Sequence, residues 1–269
     1  MTGNLVFLGA GNMAEALVSG LLACNRWPRK QVVVTDLLPE RRHLLTEKFG
    51  VQAEVDNATA VAGASVVVLA VKPQMLAGVF AAIRHALPAD ALVVSIAAGI
   101  TTAKIENALG GKVRVVRAMP NTPALVGYGV AAICGGLNAR PADLDTAQDL
   151  LSATGEVVRV EEAAMDAVTA VSGSGPAYVF YLMEAMLEAA RQMGLDGSVA
   201  RKLVYSTVKG SAELILRHGL PPEELRARVT SKGGTTAAAM AVKDKREVKA
   251  AIIEAMLAAR DRAAELARM

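Results

Sequence analysis

The sequence predicts an α/β protein: a doubly wound parallel sheet in residues 1–162, then an all-helical segment over residues 163–269. Three observations carry that expectation. Short β-branched runs alternate with helix-period segments through the first 160 or so residues. Several of those runs are apolar at consecutive positions, as strands are when helices cover both faces of a sheet. From about Met165 the strand runs stop, and only helical periodicity with caps remains. Composition agrees. Hydrophobic residues make up 53% and aromatics only 3%, which suits Ala-, Val- and Leu-rich helices on a parallel sheet and excludes disorder as the main state.

Taken in order, the predicted strands are Leu5–Leu8, Val32–Thr35, Val66–Leu69, Leu92–Ile96 and Val113–Arg117. Helical segments lie between or after them at Met13–Ala23, Pro39–Phe49, Gln74–Leu87 and Thr101–Leu109. Gly129–Cys134 and Glu156–Val160 read as further strands around a helix over Pro141–Ser152. A short charged connection at Glu161–Glu162 marks the boundary. Beyond it, Ser172-Gly-Ser-Gly-Pro176 opens a long helix, with Pro176 in the first turn where its missing N–H costs little. Gly194 stops that helix after Met193. A second runs from about Ser198 to His218 and ends at Gly219. A short one follows Pro221-Pro222, Thr235 or Thr236 begins a fourth, and the last starts near Arg246. In Ala177–Met193 the charged residues Glu184, Glu188 and Arg191 form one narrow stripe, and apolar side chains cover the rest. A helix apolar on most of its circumference must be buried on most of it, so a second copy of the chain is the expected cover.

Other function classes recede. A formal charge of +3 is too small to suggest nucleic acid or an anionic membrane surface as a partner. The two cysteines, Cys24 and Cys134, are far apart, which suggests neither a disulfide framework nor a metal spacing and points to a reducing, cytoplasmic setting. The uncharged stretch Ala118–Ala139 is interrupted by Pro120, Asn121 and Pro123, so it is not expected to span a membrane. His43, His85 and His218 are scattered, and none has a second histidine or a suitable carboxylate nearby. Neither a metal site nor a Ser/His/Asp triad is expected.

The strand Leu5–Leu8 leads straight into Gly9-Ala-Gly11-Asn-Met-Ala14 and a helix. This is the G-x-G-x-x-A form of the dinucleotide fingerprint of Rossmann-type sheets. Gly9 permits the tight turn, Gly11 lets a pyrophosphate approach the backbone, and Ala14 keeps helix and strand close. The helix start offers free N–H groups and partial positive charge to the phosphates. Asp36 ends the next strand, where a carboxylate bonds a ribose 2′-hydroxyl and disfavours a 2′-phosphate. Arg41 and Arg42 follow, and an arginine there could accept a phosphate; at least one of them reads better as a surface-helix residue. Lys72 and Pro73 fall at the carboxyl edge of the strand ending at Leu69, where ligands bind in such sheets; for Lys72 a solvated loop lysine is an equal alternative. In hydride transfer the cofactor carries the chemistry, so the missing histidines are no obstacle.

A second glycine-rich segment, Val229-Thr-Ser-Lys-Gly-Gly-Thr-Thr236, precedes an alanine-rich helix. Gly233 and Gly234 before two threonines make a nest of N–H groups suited to a carboxylate, or simply a capped helix with a flexible lead-in. Together with GAGNMA (Gly9–Ala14), AVKPQ (Ala70–Gln74), MPNTP (Met119–Pro123) and VSGSGPAY (Val171–Tyr178), the segment TSKGGTT (Thr230–Thr236) makes the whole chain resemble the pyrroline-5-carboxylate reductase family. Lys232 stands where many relatives carry proline. The resemblance implies reduction of the C=N bond of 1-pyrroline-5-carboxylate to L-proline with NADP or NAD as the coenzyme pair. It implies that Leu8, Gly9, Ala10, Gly11, Asn12 and Met13 hold the pyrophosphate and that Asn57 is an adenosine-side contact. Ala70, Val71, Lys72 and Pro73 would line the nicotinamide half, with Asn121 nearby. Ser231, Gly233, Gly234, Thr235 and Thr236 would take the substrate carboxylate, the Thr236 hydroxyl facing the ring nitrogen as the catalytic group. It also implies a homodimer through the helical domain, with dimers assembling further. A β-hydroxyacid dehydrogenase would want a lysine on the first long helix of the second segment, and none precedes Lys202 there. A non-catalytic nucleotide-binding regulatory module would not need the intact TSKGGTT loop.

Overall fold

Eight strands form one sheet across residues 3–268, the part of the chain described by this computed structural model. They are β1 (Asn4–Leu8), β2 (Val32–Thr35), β3 (Gln52–Glu54), β4 (Ala64–Leu69), β5 (Leu92–Ser95), β6 (Arg114–Pro120), β7 (Gly129–Gly135) and β8 (Gly155–Arg159). Their order is β3-β2-β1-β4-β5-β6-β7-β8. Neighbours pair in parallel, with Leu5 opposite both Val32 and Val66, except that β6 and β7 run antiparallel. The strand order reverses at β1, between β2 and β4, and a crevice opens there beyond the carboxyl ends of the strands.

The helices of this unit are α1 (Asn12–Ala23), α2 (Pro39–Phe49), α3 (Asn57–Val61), α4 (Leu76–Ile83), α5 (Thr102–Ala108), α6 (Pro141–Leu151) and α7 (Met165–Val168). The consecutive apolar residues of the strands divide between two cores. Leu5, Phe7, Val34 and Val68 pack with Leu17 and Leu21 of α1 and Leu150 of α6. Val6, Leu8, Val33 and Val67 pack on the other face with Leu76 and Ile83 of α4 and Ile105 of α5. Successive side chains in a strand point to opposite faces, so both faces buried requires every residue to be apolar. Each such side chain, once buried, contributes about 1.5–3 kcal/mol.

Four local features differ from the sequence expectation. Gln52–Glu54 is an additional edge strand pairing with Val33–Thr35; its two glutamine and glutamate side chains are exposed, so it carries no apolar alternation. The short α3 is set by Asp56, whose carboxylate accepts from the Thr59 N–H at 2.7 Å. The segment Gln74–Leu87 is helical only to Ile83, with a 3-10 turn over Pro73–Met75 leading into it. The Ser-Gly-Ser-Gly-Pro176 segment opens the long helix at Gly175 as expected, but a π-helical turn over Thr169–Gly173, following α7, precedes it. Hydroxyls support it, Thr169 donating to the Met165 carbonyl at 2.8 Å and Ser172 to the Val168 carbonyl at 3.0 Å.

The chain divides into two compact units. One holds the residues up to Ser174 together with those from Ala259 onward, and the other holds Gly175–Ala258. The second unit is helical throughout: α8 (Gly175–Gln192), α9 (Gly197–His218), α10 (Pro222–Arg228), α11 (Thr235–Lys245) and the first part of α12 (Val248–Arg268). The last helix begins at Val248 rather than Arg246, because Glu247 adopts φ 51° and breaks the run. Helices α8 and α9 pack on each other. Asp196 caps α9 by accepting from the Ser198 N–H at 2.8 Å, and Gly219 ends it in left-handed conformation. Much apolar surface of this unit faces solvent in the single chain, including Phe180 at 58% and Tyr181 at 75% exposure. The closing turns of α12 lie in the first unit, where Ala263 is buried and Lys104 donates to the Ala267 carbonyl at 2.6 Å.

Candidate functional site

A cavity of about 590 Å³ opens at the crevice beside β1. Gly9, Gly11 and Asp36 line one part of it, and Ala70, Val71 and Lys72 another; Asn57 is also on the wall. Its size falls within the range of small-molecule and cofactor sites, roughly 300–1,000 Å³.

Strand β1 ends in the glycine turn because the next atoms leave no room for a side chain. Gly9 has φ +103°, and a Cβ there would stand 2.8 Å from the carbonyl carbon and oxygen of Ala70 at the end of β4. Its N–H donates to the Thr35 carbonyl at 2.9 Å, tying the turn to β2. Gly11 differs: its φ is −70°, and nothing lies within 4 Å of an added Cβ. It forms the N-cap of α1 with no side chain capping the helix, so the first N–H groups are open to a ligand. Ala14 is fully buried against the sheet.

The peptide of Ala10 is held from both sides. Its N–H donates to Asp36 Oδ2 at 2.9 Å, and its carbonyl accepts from Arg41 Nε at 2.8 Å. Asp36 Oδ1 also accepts from the Leu38 N–H at 3.0 Å. An ionised carboxylate offers about four acceptor sites, so Asp36 keeps capacity for a sugar hydroxyl. Arg41 Nη2 reaches Glu15 Oε2 at 2.9 Å, and Lys48 Nζ reaches Glu15 Oε1 at 2.9 Å. The Lys48 hydrogen bond, opposed by partial burial and helped by Arg41, holds the Glu15 carboxyl below its ordinary range. Arg42 bonds the carbonyls of Asp36 at 2.5 Å and Leu37 at 3.3 Å.

Leu37, Leu38 and Val55 line the same cavity although they are 74%, 54% and 65% exposed. Exposed apolar side chains beside the Asp36 carboxylate suit the faces of a flat aromatic base. Asn57 accepts from the Thr35 hydroxyl at 2.6 Å, which fixes it at the end of β2. Sequence reading did not single out Leu37, Leu38, Val55 or Thr35; apolar residues placed just after strands β2 and β3 are the signal that marks the first three, and a hydroxyl ending an otherwise apolar strand marks Thr35.

The remaining expected cofactor residues sit around this cavity or apart from it. Leu8 and Ala10 are fully buried, Asn12 is exposed at the start of α1, and Met13 and Pro73 are half-buried. Asn121 is not on the cavity wall. It is 8% exposed, and its side-chain amide is committed elsewhere: Nδ2 donates to the Ser172 carbonyl at 3.2 Å and Oδ1 accepts from the Val130 N–H at 2.9 Å. Pro176 has no N–H to give the carbonyl of Ser172 four residues earlier, and Asn121 supplies the missing donor.

In the second unit, Ser231–Thr236 joins α10 to α11. A turn closes from the Gly234 N–H to the Ser231 carbonyl at 3.1 Å, with Gly233 at φ +75°. A Cβ on Gly234 would meet Ser231 Oγ at 2.5 Å, a contact that rotation of the exposed serine side chain relieves. Gly234 is the N-cap of α11 and no side chain caps the helix. Ser231, Gly233 and Thr235 are exposed, and Thr236 is half-buried in the first turn. Open N–H groups with hydroxyls around them can hold a carboxylate.

Among the described residues no cluster of three or more His, Cys, Asp or Glu is arranged to hold a metal ion, and no helix is long and apolar enough to cross a membrane.

Comparison with known proteins adds the following. A family model described as pyrroline-5-carboxylate reductase dimerisation matches residues 162–266, and one described as NADP oxidoreductase, coenzyme F420-dependent, matches residues 4–99. The chain is 44% identical over 267 residues to the pyrroline-5-carboxylate reductase of Pseudomonas aeruginosa, covering 99% of this chain and 97% of that one. A solved pyrroline-5-carboxylate reductase from Coxiella burnetii superimposes with a TM-score of 0.92 at 38% identity, over 100% of both chains. The Plasmodium falciparum pyrroline carboxylate reductase, solved with NADP bound, superimposes with a TM-score of 0.90 at 28% identity over 98% of each chain.

Proposed function

Because the chain belongs to the pyrroline-5-carboxylate reductase family, we propose that it reduces 1-pyrroline-5-carboxylate to L-proline with NADPH or NADH. The observation that carries this reading is the cavity over the uncapped start of α1, where Gly11 leaves open space that no protein atom fills.

When bound, the reduced nicotinamide supplies the hydride that adds to the imine carbon. The chain's own residues bind and orient. Leu8–Met13 form the turn that holds the pyrophosphate, which the open N–H groups at the start of α1 take, Asp36 takes the adenosine ribose, and Asn57 lies on the adenosine side. Ala70, Val71, Lys72 and Pro73 flank the nicotinamide half. Asn121 acts indirectly, by holding β7 and the π-helical turn together. The N–H groups at the start of α11, with Ser231, Gly233, Gly234 and Thr235, take the substrate carboxylate. The Thr236 hydroxyl bonds the ring nitrogen. A cyclic imine is protonated readily in water, so no strong general acid is needed. Holding the two reacting partners in register supplies most of the acceleration.

We assign the dinucleotide-binding domain to residues 1–162 and the helical substrate and dimerisation domain to residues 163–269. The exposed apolar faces of α8 and α9 are covered by a second copy, giving a homodimer and, from dimers, larger assemblies. The setting is cytoplasmic. The test is direct: the purified protein should oxidise NADPH or NADH only when pyrroline-5-carboxylate is added, and form proline in equal amount. Oxidation of hydroxy acids without such activity would point instead to a β-hydroxyacid dehydrogenase.

A further inference from the structure

Arg41 and Arg42 stand near the end of β2, where the 2′ position of an adenosine ribose would lie beside Asp36, and Lys48 reaches the same Glu15 carboxylate as Arg41. All three already have acceptors from the protein. Arg42 is bound to the carbonyls of Asp36 and Leu37. Arg41 is bound to the Ala10 carbonyl and to Glu15, and Lys48 is bound to the other oxygen of Glu15. The Glu15 side chain is only 19% exposed, so its charge is less screened than that of a surface carboxylate. A 2′-phosphate carries nearly two negative charges and needs an uncommitted cation, most often an arginine. Here it would meet the Asp36 carboxylate instead. Taking Arg41 would strip one bond from the Ala10 carbonyl and one from Glu15.

We propose that Glu15 sets the coenzyme preference of this site toward a free 2′-hydroxyl, and so toward NADH, by retaining Arg41 and Lys48. Glu15 lies in the first turn of α1 and is not on the cavity wall, so it acts as a positioning residue. The inference rests on the dinucleotide reading of the cavity and sharpens it. The residue that disfavours the phosphate directly is Asp36, but the one that decides whether a counter-charge is at hand is Glu15.

The experiment compares the parent with Glu15→Gln, and with Glu15→Gln carrying Arg41→Leu and Lys48→Met. Steady-state rates are measured with NADH and NADPH. Calorimetric binding is measured with 5′-AMP and adenosine 2′,5′-bisphosphate, which needs no turnover. The parent should favour NADH. Glu15→Gln should shift the kcat/KM ratio toward NADPH by roughly three- to tenfold, the scale of a partly exposed ion pair. The shift should lie in KM for NADPH rather than in kcat. Affinity for the bisphosphate should rise by a similar factor while that for 5′-AMP stays level, and the gain should vanish when both cations are removed and shrink at high salt. Should Glu15→Gln not fold, Glu15→Asp, which pulls the charge back by one methylene, should give a smaller shift in the same direction. A parent that favours NADPH overturns the proposal, as does an unchanged ratio in Glu15→Gln or a gain that survives loss of both cations. A parent that binds neither nucleotide overturns the dinucleotide reading itself.

Discussion

Gly9 and Gly11 stand two residues apart in the same turn, yet alanine should damage them in different ways. At Gly9 the backbone lies at φ +103°, and an added Cβ falls 2.8 Å from two main-chain atoms of Ala70. Backbone strain of this kind costs on the order of 1–3 kcal/mol, and forcing β4 aside adds about 1–3 kcal/mol. A total of about 4 kcal/mol lowers Tm by roughly 8–16 °C for a chain of this size. At Gly11 an alanine fits: φ is −70° and nothing lies within 4 Å. Losing the better N-cap costs about 0.5–1 kcal/mol. Restricting the unfolded chain returns about 0.4–1 kcal/mol. Thermal unfolding by circular dichroism should therefore show Gly11→Ala melting within roughly 3 °C of the parent. The methyl group instead intrudes where a pyrophosphate would rest, so ADP-ribose measured by calorimetry should bind at least about tenfold more weakly, a loss of about 1.4 kcal/mol. Gly11→Ala that binds ADP-ribose as well as the parent would refute the placement of the pyrophosphate. Gly11→Ala that melts as low as Gly9→Ala would refute the steric argument.

Thr236→Ala should lower kcat/KM by roughly ten- to a hundredfold, the equivalent of a lost hydrogen bond of about 1.5–3 kcal/mol to a charged imine; Thr236→Ser should keep most of the activity, and an alanine variant as fast as the parent would leave Thr236 as an ordinary residue of the first turn of α11. Sedimentation should show at least a dimer at micromolar concentration, because Phe180, Tyr181 and Leu216 leave the single chain with large apolar side chains in water; a fully active monomer would contradict this. Glu15 has its carboxyl held below its ordinary 4.5, chiefly by the Lys48 hydrogen bond. The unfolded chain therefore takes up its proton first as pH falls, so the stabilisation is present above about pH 4.5 and is lost in acid. Denaturant titrations should find Glu15→Gln less stable than the parent near neutrality and converging with it in acid, whereas a constant gap at every pH would exclude the ion pairs as its source.

What could be read from sequence follows from range. The strand Leu5–Leu8 and the turn after it are legible because their requirements are local: β-branched or apolar residues at every position, a glycine where φ is positive, an alanine where helix meets sheet. Asp36 could be named for this cavity because it directly follows a strand beside it; Asn57 could be named only through the family resemblance, since the short helix it opens has no sequence signal of its own. Arg41 was left as a surface-helix charge or a phosphate contact, since nothing in its own helix shows that its acceptor is the carbonyl of Ala10, 31 residues earlier. Gln52–Glu54 escaped because an exposed edge strand of three residues has no apolar face to betray it. The Ser-Gly-Ser-Gly run could be read as a helix start from the proline that follows it, but the π-helical turn before it could not, because the distant amide of Asn121 helps satisfy its backbone groups together with the hydroxyls of Thr169 and Ser172.

The division of α12 between the two units has a consequence for the order of synthesis. The helical unit is, in chain terms, an insertion: the sheet-bearing unit begins before it and is finished only by Ala259 and the residues after it. Those residues leave the ribosome after every residue of the helical unit. Domains commonly fold one after another as the chain emerges, but here the first unit to start cannot be the first to finish. Until α12 arrives, the surface around Gly99 and Lys104 stays uncovered. A nascent chain stalled before Ala259 should therefore expose that patch to chaperones even with its whole sheet translated, and cutting at a single point cannot release either unit intact.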